Sequence, residues 1–489
     1  MNNTDKIRVR FAPSPTGNLH IGGVRTAIFN WLFAKANNGT FILRIEDTDR
    51  NRYDKDSEDS IISSLNWLGI NWDEGPIRQS EKQEDYIKVA KQLIDGGWAY
   101  YDDTTSEELE ELRKQQIRDK RPPRYDNRGR YKEITHDQYE TNNSTLNPIV
   151  IRFKVPDSGA KPFYDEIRGN VSFDLKEIDD FVILKSDGMP TYHLAHVVDD
   201  HEMKISHIIR GEEWISSTPR HVLIHDALNW NLPKYVHVPL ILGKDKSKLS
   251  KRHGAESALE YKEKGYLPEA LLNFLALLGW SPGDNKEIMN ISEIIEKFTI
   301  KRILGHPAVF DPEKLEWMNA SYIRNLNDEE LSKQILNKIN KDTTSGGLIS
   351  DSVDINTLNS KILSIVPLIK ERLKTFSEST YLLEYFFYDN FEIEKEKLLP
   401  KKVESIQIIE GLKKSIELIK SIEEFDPENL EVQFRNLAEE LKLKAGQLFF
   451  PIRIALTGRK ESPPLFDTMK VIGRESSIKR LDNAINILN

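Results

Sequence analysis

The sequence predicts an α/β fold built on a parallel sheet, interrupted by an inserted α+β segment and followed by an all-α module. Three observations carry that prediction. Ile7, Val9 and Phe11 alternate with Arg8 and Arg10, Pro13 and Pro15 end the run, and a helix with apolar Ala27, Ile28, Trp31 and Leu32 precedes a second apolar run, Thr40 to Ile45. Strand, loop, helix, strand is a βαβ unit, which implies parallel pairing, a right-handed crossover and a ligand at the carboxyl ends of the strands. Strand texture then lapses and returns at Ile149 to Lys154, Phe181 to Lys185 and Ile205 to Ile209. Past Leu326 strand signals stop, and apolar residues recur only at helical spacing.

Helices are expected from Asp59 to Leu68 and from Tyr86 to Ile94. The basic segment from Arg113 to Lys132 and the Pro/Asp-rich stretch around it read as an insertion. Residues 188–200, Gly-Met-Pro-Thr-Tyr-His-Leu-Ala-His-Val-Val-Asp-Asp, look like re-entry into the core, and a helix from Thr218 to Leu228 completes a second crossover. The apolar stretch Leu267 to Leu278 and the segment Ile291 to Phe298 are further helices, the latter capped by Asn290 with Glu293 reaching back. In the last third Leu331, Ile335, Leu336 and Ile339 share one face behind a capping Asn327 and Glu330; Leu412, Ile416 and Ile419, then Phe434, Leu437 and Leu441, repeat the pattern. Thr343 to Ser352 reads as a loop, and no internal repeat is evident.

With 489 residues the chain exceeds one core, so two to four domains are expected, and 38% hydrophobic with 9% aromatic content is ordinary for a globular protein. The first residues carry no basic and apolar leader, and no window approaches the roughly eighteen apolar residues of a membrane span, so a cytoplasmic location is expected. Zero cysteines removes disulfides, thiolate nucleophiles and thiolate zinc sites. A metal is then expected as Mg²⁺ travelling with a nucleotide. The net charge of −9 opposes bulk electrostatic binding of nucleic acid. Locally the pattern differs: Lys114, Arg118, Lys120, Arg121, Arg124, Arg128 and Arg130 stand among Asp119 and Asp126, with Tyr125 and Tyr131 interleaved, as a phosphate-binding patch with stacking partners would.

The chemistry concentrates in two places. His20 lies in a turn at a helix start, followed by Gly22 and Gly23, where backbone can approach a nucleotide closely and the imidazole can meet a phosphate oxygen. Far downstream, Lys248 and Lys251 sit on a Lys/Ser/Gly-rich segment with Gly243 and Gly254 as hinges, suited to close over β- and γ-phosphates. Each half alone is unspecific. Together they suit an enzyme that holds a triphosphate while its α-phosphorus is attacked, each charge-assisted contact contributing about 1.5–3 kcal/mol. Arg10 and Arg210 both end strands and in a parallel sheet can project into one cleft to grip a carboxylate, with Glu46 at a third strand end able to hold an ammonium.

Arg10-Phe11-Ala12-Pro13-Ser14-Pro15-Thr16-Gly17, His20-Ile21-Gly22-Gly23, Arg44 to Asp49, Tyr192 to Asp200, Ile209 to Trp214, Lys248 to Arg252 and Phe450 to Gly458 together resemble a bacterial-type glutamyl-tRNA synthetase over essentially the whole chain. The resemblance implies a class I aminoacyl-tRNA synthetase with a Rossmann-type catalytic domain split into 1–84 and 191–252, an inserted acceptor-end-binding domain at 85–190, a stem-contact region at 253–325 and an all-helical anticodon-binding domain at 326–489. It further implies ATP, L-glutamate and tRNA-Glu as partners, a monomer, and two steps: formation of glutamyl-adenylate, then transfer to the tRNA terminus. By the same resemblance His20, Lys248 and Lys251 are catalytic; Gly22, Gly23, Glu213, Trp214 and Leu242 meet ATP; and Arg10, Ala12, Ser14, Glu46, Tyr192, His196 and Arg210 bind glutamate. Arg118, Arg121 and Arg124 would contact tRNA, and Arg372 in Lys370-Glu371-Arg372-Leu373 would read the third anticodon base and discriminate against tRNA-Gln. Two departures stand out. His196 occupies a position where the family usually has Asn, and the region around Tyr101 to Arg130 lacks the thiols of the zinc-bearing relatives, so no zinc is expected. Glutaminyl-tRNA synthetase, the rival within the family, has a β-barrel anticodon part and usually a His where Gly23 stands.

Overall fold

The first βαβ unit forms as the apolar pattern requires. In the computed structural model, which describes residues 6–17, 19–142, 148–249, 256–341, 355–389, 391–400 and 403–489, β1 (Arg8–Phe11) pairs in parallel with β2 (Thr40–Ile45), and α1 (Ile21–Ala36) crosses between them. Every residue of β2 is buried, so its alternation is lost and Phe41, Ile42 and Leu43 run continuously apolar, as a doubly covered parallel strand demands. Gly39, just before β2, is there for space: a Cβ would sit 2.6 Å from the Ile7 carbonyl oxygen.

After α2 (Lys55–Trp67), capped by Asp54 on the amides of Asp56 and Ser57, β3 (Glu74–Arg78) adds to β2 in parallel. The chain then leaves the sheet through α3 (Gln83–Asp95), β4 (Ala99–Asp102), α4 (Ser106–Arg118), α5 (His136–Asn142) and β5 (Val150–Phe153). It continues through the hairpin β6 (Ala160–Asp165) and β7 (Gly169–Asp174), then β8 (Phe181–Leu184). β4, β5 and β8 form a separate antiparallel sheet whose Phe153 and Phe181 rings stack 5.2 Å apart, beside Tyr86 and Leu93 of α3.

α6 (Tyr192–Glu202), β9 (His207–Gly211), α7 (Thr218–Ala227) and β10 (Lys234–Val238) return to the core. β9, β10 and β6 pair in parallel, and β7 flanks β6 antiparallel. The two sheets meet where Ser206 donates its amide to the Arg8 carbonyl at 2.9 Å, putting β9 beside β1. The order is thus β3-β2-β1 followed by β9-β10-β6-β7. Chain order reverses between β1 and β9, the switch point where an open α/β sheet leaves a crevice at its carboxyl edge.

The described residues divide into two compact units, one comprising 1–262 and 268–315, the other 263–267 and 316–489. In the first, helices Pro268–Leu277 and Ile291–Lys297 close over α1, with Phe298 against Phe29 at 5.6 Å. Asn290 and Glu293 form the expected capping box. The second unit is helical: Leu412, Ile419, Phe434, Leu437, Leu448 and Leu481 share one core, and Asn327 accepts from the Glu330 amide at 2.8 Å. The segment 263–267 belongs to it because Asn319 accepts from the Leu267 amide and donates to the Lys374 carbonyl. Thr343 to Ser352 lies outside the described residues.

The sequence reading had no strand at β3, β4, β6, β7 or β10 and no helix at α4 or α5. α4 had a legible start in Thr105 and Glu108, which form a capping box, but the density of cations masked it. β6 and β7 carry few apolar residues because their burial alternates or is slight.

Candidate active site

Helix α1 begins with its own capping histidine. His20 holds an extended backbone while Nδ1 accepts from the amides of Gly22 at 3.1 Å and Gly23 at 3.2 Å. Those amides are donors only, so Nδ1 is unprotonated and the proton resides on Nε2, pointing away from the helix. The glycines make this geometry possible. A Cβ on Gly22 would lie 3.0 Å from the imidazole Cε1, and one on Gly23 would lie 2.8 Å from Leu19. Burial lowers the His20 pKa against an opposing pull from Glu213, and nearby Lys248 lowers it further, so the ring is neutral.

His20, Gly22 and Gly23 line a cavity of about 500 Å³ at the carboxyl edge of the sheet, shared with Arg10, Ala12, Glu46, Tyr192, Arg210, Glu213, Trp214 and Lys248. Eleven residues expected from the sequence therefore converge on one space. Ser14, His196 and Leu242 are not among its lining; Ser14 is exposed, and Leu242 pairs with Lys248 through a backbone bridge. Lys251 and Gly254 fall outside the described residues.

Three of the buried guanidiniums of the site, Arg44, Arg10 and Arg210, differ in how their charge is met. Arg44, fully buried on β2, donates to Asp200 at 2.7 Å and to Glu46 at 3.1 Å and lies 3.7 Å from Asp199; those carboxylates keep it charged despite burial. Arg10 donates to both Asp200 oxygens, at 3.0 and 3.3 Å. Burial alone would raise the Asp200 carboxyl, but Arg10 and Arg44 hold it below its ordinary value.

Arg210, at the end of β9, is surrounded differently. Its Nε donates to His237 Nε2 at 3.1 Å, one Nη to the Tyr192 hydroxyl at 3.0 Å and the other to Thr218 Oγ1 at 2.9 Å. His196 and His221 approach it at 3.3 and 3.4 Å. Burial, reinforced by Arg210, keeps both of these imidazoles neutral, and burial pushes the Tyr192 hydroxyl up to about 12. The contacts described for Arg210 are neutral, so its charge, unlike those of Arg10 and Arg44, is left for an incoming carboxylate to meet.

His196 lies one helical turn past Tyr192, behind the lining. Its Nδ1 is 3.4 Å from Arg10, and its Nε2 is 3.4 Å from Asp200. That Nε2 also lies 3.3 Å from Arg210, so a neutral ring protonated there accepts from Arg10 and donates to Asp200 but offers Arg210 no acceptor. Glu46, nearly buried at the end of β2, has its carboxyl pushed up by burial against the pull of Arg44 and Arg10.

Sequence reasoning missed several supports of this site. Asp200 stood in a quoted stretch without a role, and Asp165, Thr218, His221 and His237 had no local signal. Arg25 was also missed: it lines the cavity floor, donates to the carbonyl oxygens of Leu278 and Pro239, and has its pKa lowered to about 10 by burial.

The basic segment resolves into ion pairs. Arg118 meets Glu111 at 2.9 Å, Arg121 meets Asp119 at 2.6 Å, and Arg130 is held by Asp180 and Asp157. Gln116 clasps the backbone of Arg124 through both its amide groups. Tyr125 stacks internally on Arg152 at 3.7 Å, whereas Tyr131 is exposed. Exposed pairs such as Arg118 with Glu111 contribute only about 0–1 kcal/mol, so either cation can exchange its partner for a phosphate at little cost. In the second unit Arg372 is exposed and donates to the Ser462 carbonyl at 2.9 Å. Arg459 nearby lies over the exposed Tyr381 ring at 3.5 Å.

Among the described residues no three His, Cys, Asp or Glu side chains are placed to hold a metal ion. Nor is any described helix long and apolar enough to cross a membrane.

Comparison with known families shows which class builds such a site. Residues 6–317 match the catalytic domain of class I tRNA synthetases (E and Q), and residues 308–485 match an anticodon-binding domain. The class is therefore that of the class I aminoacyl-tRNA synthetases. The chain is 46% identical to a glutamate–tRNA ligase of Dehalococcoides mccartyi, over 99% of this chain and 98% of that protein. It is 44% identical, with the same coverage, to glutamate–tRNA ligase 2 of Thermoanaerobacter pseudethanolicus. A crystal structure of a glutamate tRNA ligase from Elizabethkingia meningosepticum, in complex with its amino acid, superposes with a TM-score of 0.88 at 36% identity, covering 99% of this chain and 100% of that one. The chain belongs to the glutamate–tRNA ligase family.

Proposed function

We propose that this protein activates L-glutamate with ATP and transfers it to the 3′ end of tRNA-Glu, working in the cytoplasm as a monomer. The observation that carries the reading is Arg210, a buried guanidinium met among the described residues by neutral groups, in the same cavity as His20 and the ammonium of Lys248. In the first step a glutamate α-carboxylate oxygen bonds to the α-phosphorus of ATP as the α–β phosphoanhydride bond breaks. His20 donates to a phosphate oxygen as charge shifts toward the leaving pyrophosphate, and Lys248 with Lys251 neutralises that charge. In the second, a terminal ribose hydroxyl attacks the acyl carbon, and AMP leaves. Positioning and electrostatic stabilisation supply the rate, with no covalent enzyme intermediate. Mg²⁺ arriving with ATP would shield the phosphate charge when bound.

Arg210 takes the side-chain carboxylate, and Arg10, whose charge Asp200 already shares, supports it. Glutamine forfeits the charge-assisted share of those bonds. Glu46 receives the substrate ammonium, which restores a positive partner to a carboxyl that burial disfavours. Gly22, Gly23, Glu213 and Trp214 bound the nucleotide, Arg118, Arg121 and Arg124 meet tRNA phosphates, and Arg372 reads the anticodon so that tRNA-Gln is refused.

The test is charging of separated tRNA-Glu and tRNA-Gln transcripts with glutamate and ATP. A folded preparation that binds tRNA-Glu and yields no glutamyl-tRNA would refute the reading.

A further inference from the structure

Behind Arg210, outside the cavity lining, His237 on β10 and Asp165 at the end of β6 are both fully buried. His237 Nδ1 lies 2.8 Å from Asp165 Oδ2, and its Nε2 accepts from Arg210 Nε at 3.1 Å. The carboxylate is itself fixed by backbone: Oδ1 accepts from the amides of Ile167 at 3.0 Å and Arg168 at 2.9 Å, and Oδ2 from the amide of His237 at 3.0 Å. A carboxylate only accepts, so Nδ1 must carry the proton and Nε2 is left as an acceptor. That is the tautomer Arg210 requires.

The other close contacts of Arg210 do less to orient it. Tyr192 presents a hydroxyl, which rotates to suit a partner, Thr218 presents one already committed to the Trp214 carbonyl, and the His196 and His221 rings stand farther off, at 3.3 and 3.4 Å. The imidazole lone pair points in one direction, set by a ring pinned to a carboxylate pinned to three amides. A planar guanidinium meets a carboxylate through two parallel bonds only when its plane is held. The carboxylate also acts at one remove, so Arg210 is oriented without being neutralised.

We propose that Asp165 and His237 are a positioning pair that sets the plane of the Arg210 guanidinium and thereby the preference for a substrate carboxylate over its amide. The proposal rests on the reading of Arg210 as the group that receives that carboxylate.

Four variants of the full chain, assayed with tRNA-Glu, test it. His237→Leu removes the acceptor. His237→Gln keeps an amide oxygen near the place of Nε2. Asp165→Asn puts an NH₂ where only acceptors fit; turned toward His237, it forces the proton onto Nε2, where it opposes Arg210. Arg210→Gln checks the underlying reading. His237→Leu and Asp165→Asn are expected to raise the glutamate KM at least about tenfold, the size of one hydrogen bond to a charged group, and to lower the glutamate-to-glutamine ratio of kcat/KM. The ATP KM should stay at its wild-type value, and His237→Gln should recover most of the loss. If Arg210→Gln is impaired while His237→Leu and Asp165→Asn keep wild-type KM and selectivity, the positioning pair is wrong. It is equally wrong if His237→Gln melts like wild type yet is as impaired as His237→Leu. If Arg210→Gln leaves the glutamate KM unchanged, the reading of Arg210 fails and the pair with it. Should His237→Leu prove unstable, the contrast between His237→Gln and Asp165→Asn decides.

Discussion

His20 does two jobs that substitution can separate. Nδ1 caps α1 through the amides of Gly22 and Gly23, at 3.1 and 3.2 Å, while Nε2–H faces the cavity. Asparagine can keep the first job, since its carbonyl oxygen is a good N-cap acceptor, but it ends near the place of Nδ1 and cannot reach where Nε2 reaches. His20→Asn should therefore melt within a degree or two of wild type. It should lose one hydrogen bond to a charged phosphate, about 1.5–3 kcal/mol, or roughly 12- to 150-fold in rate. Because the charge develops as the phosphoanhydride breaks, the loss should fall on kcat with the ATP KM little changed. His20→Ala removes both jobs and should lose a further ~1 kcal/mol of stability with the cap. The assay is the steady-state rate of glutamyl-tRNA formation, paired with thermal melting of each variant. An asparagine variant with wild-type kcat would remove His20 from phosphate chemistry and leave it a structural cap. An alanine variant that melts with wild type would show that the cap contributes nothing.

Burial pushes His193, His207 and His225 down to about 4 in the fold from an ordinary 6.5. The folded chain thus binds fewer protons than the unfolded one, and stability should be full above about 6.5 and fall as pH drops toward 4, by up to about 1.4 kcal/mol per unit for each group; a melting midpoint unchanged between pH 7 and 4.5 would contradict this. Arg44→Met should leave Asp199, Asp200 and Glu46 short of their shared cation and lose about 3–5 kcal/mol in denaturant unfolding; an unshifted midpoint would show that Arg10 on Asp200 and Lys82, 3.0 Å from Asp199, suffice. Arg372→Gln should raise charging of tRNA-Gln relative to tRNA-Glu, and an unaltered ratio would discard the anticodon role. Lys251→Ala should slow activation at least about tenfold with tRNA affinity near normal, and an unchanged rate would take that residue out of the mechanism.

Local pattern was enough for much of this molecule. The βαβ start, the Thr40 to Ile45 strand, the Asn290 and Asn327 caps and the helical last third all follow from spacing, because apolar periodicity and capping are written within a few residues of where they act. Arg10, Glu46 and Arg210 could be aimed at one cleft from sequence, since parallel strands deliver their carboxyl ends to a common edge. Gly22 and Gly23, two and three residues past His20, were legible as a place for close nucleotide approach, but not as the amides that His20 Nδ1 caps.

Tertiary structure decided what surrounds those residues. Nothing local says that Asp200 would share its carboxylate between Arg10 and Arg44, or that Arg210 would be left among neutral rings, yet that difference distinguishes two arginines that look equivalent in sequence. The same holds for Asp165, brought to His237 by the register of β6 against β10 across 72 positions of chain. Charge and orientation at a buried site are set by whichever groups the sheet brings within about 3 Å in a medium that screens poorly. Those neighbours are distant in sequence, so the chain carries the list of its functional side chains while the fold assigns each one its charge and direction.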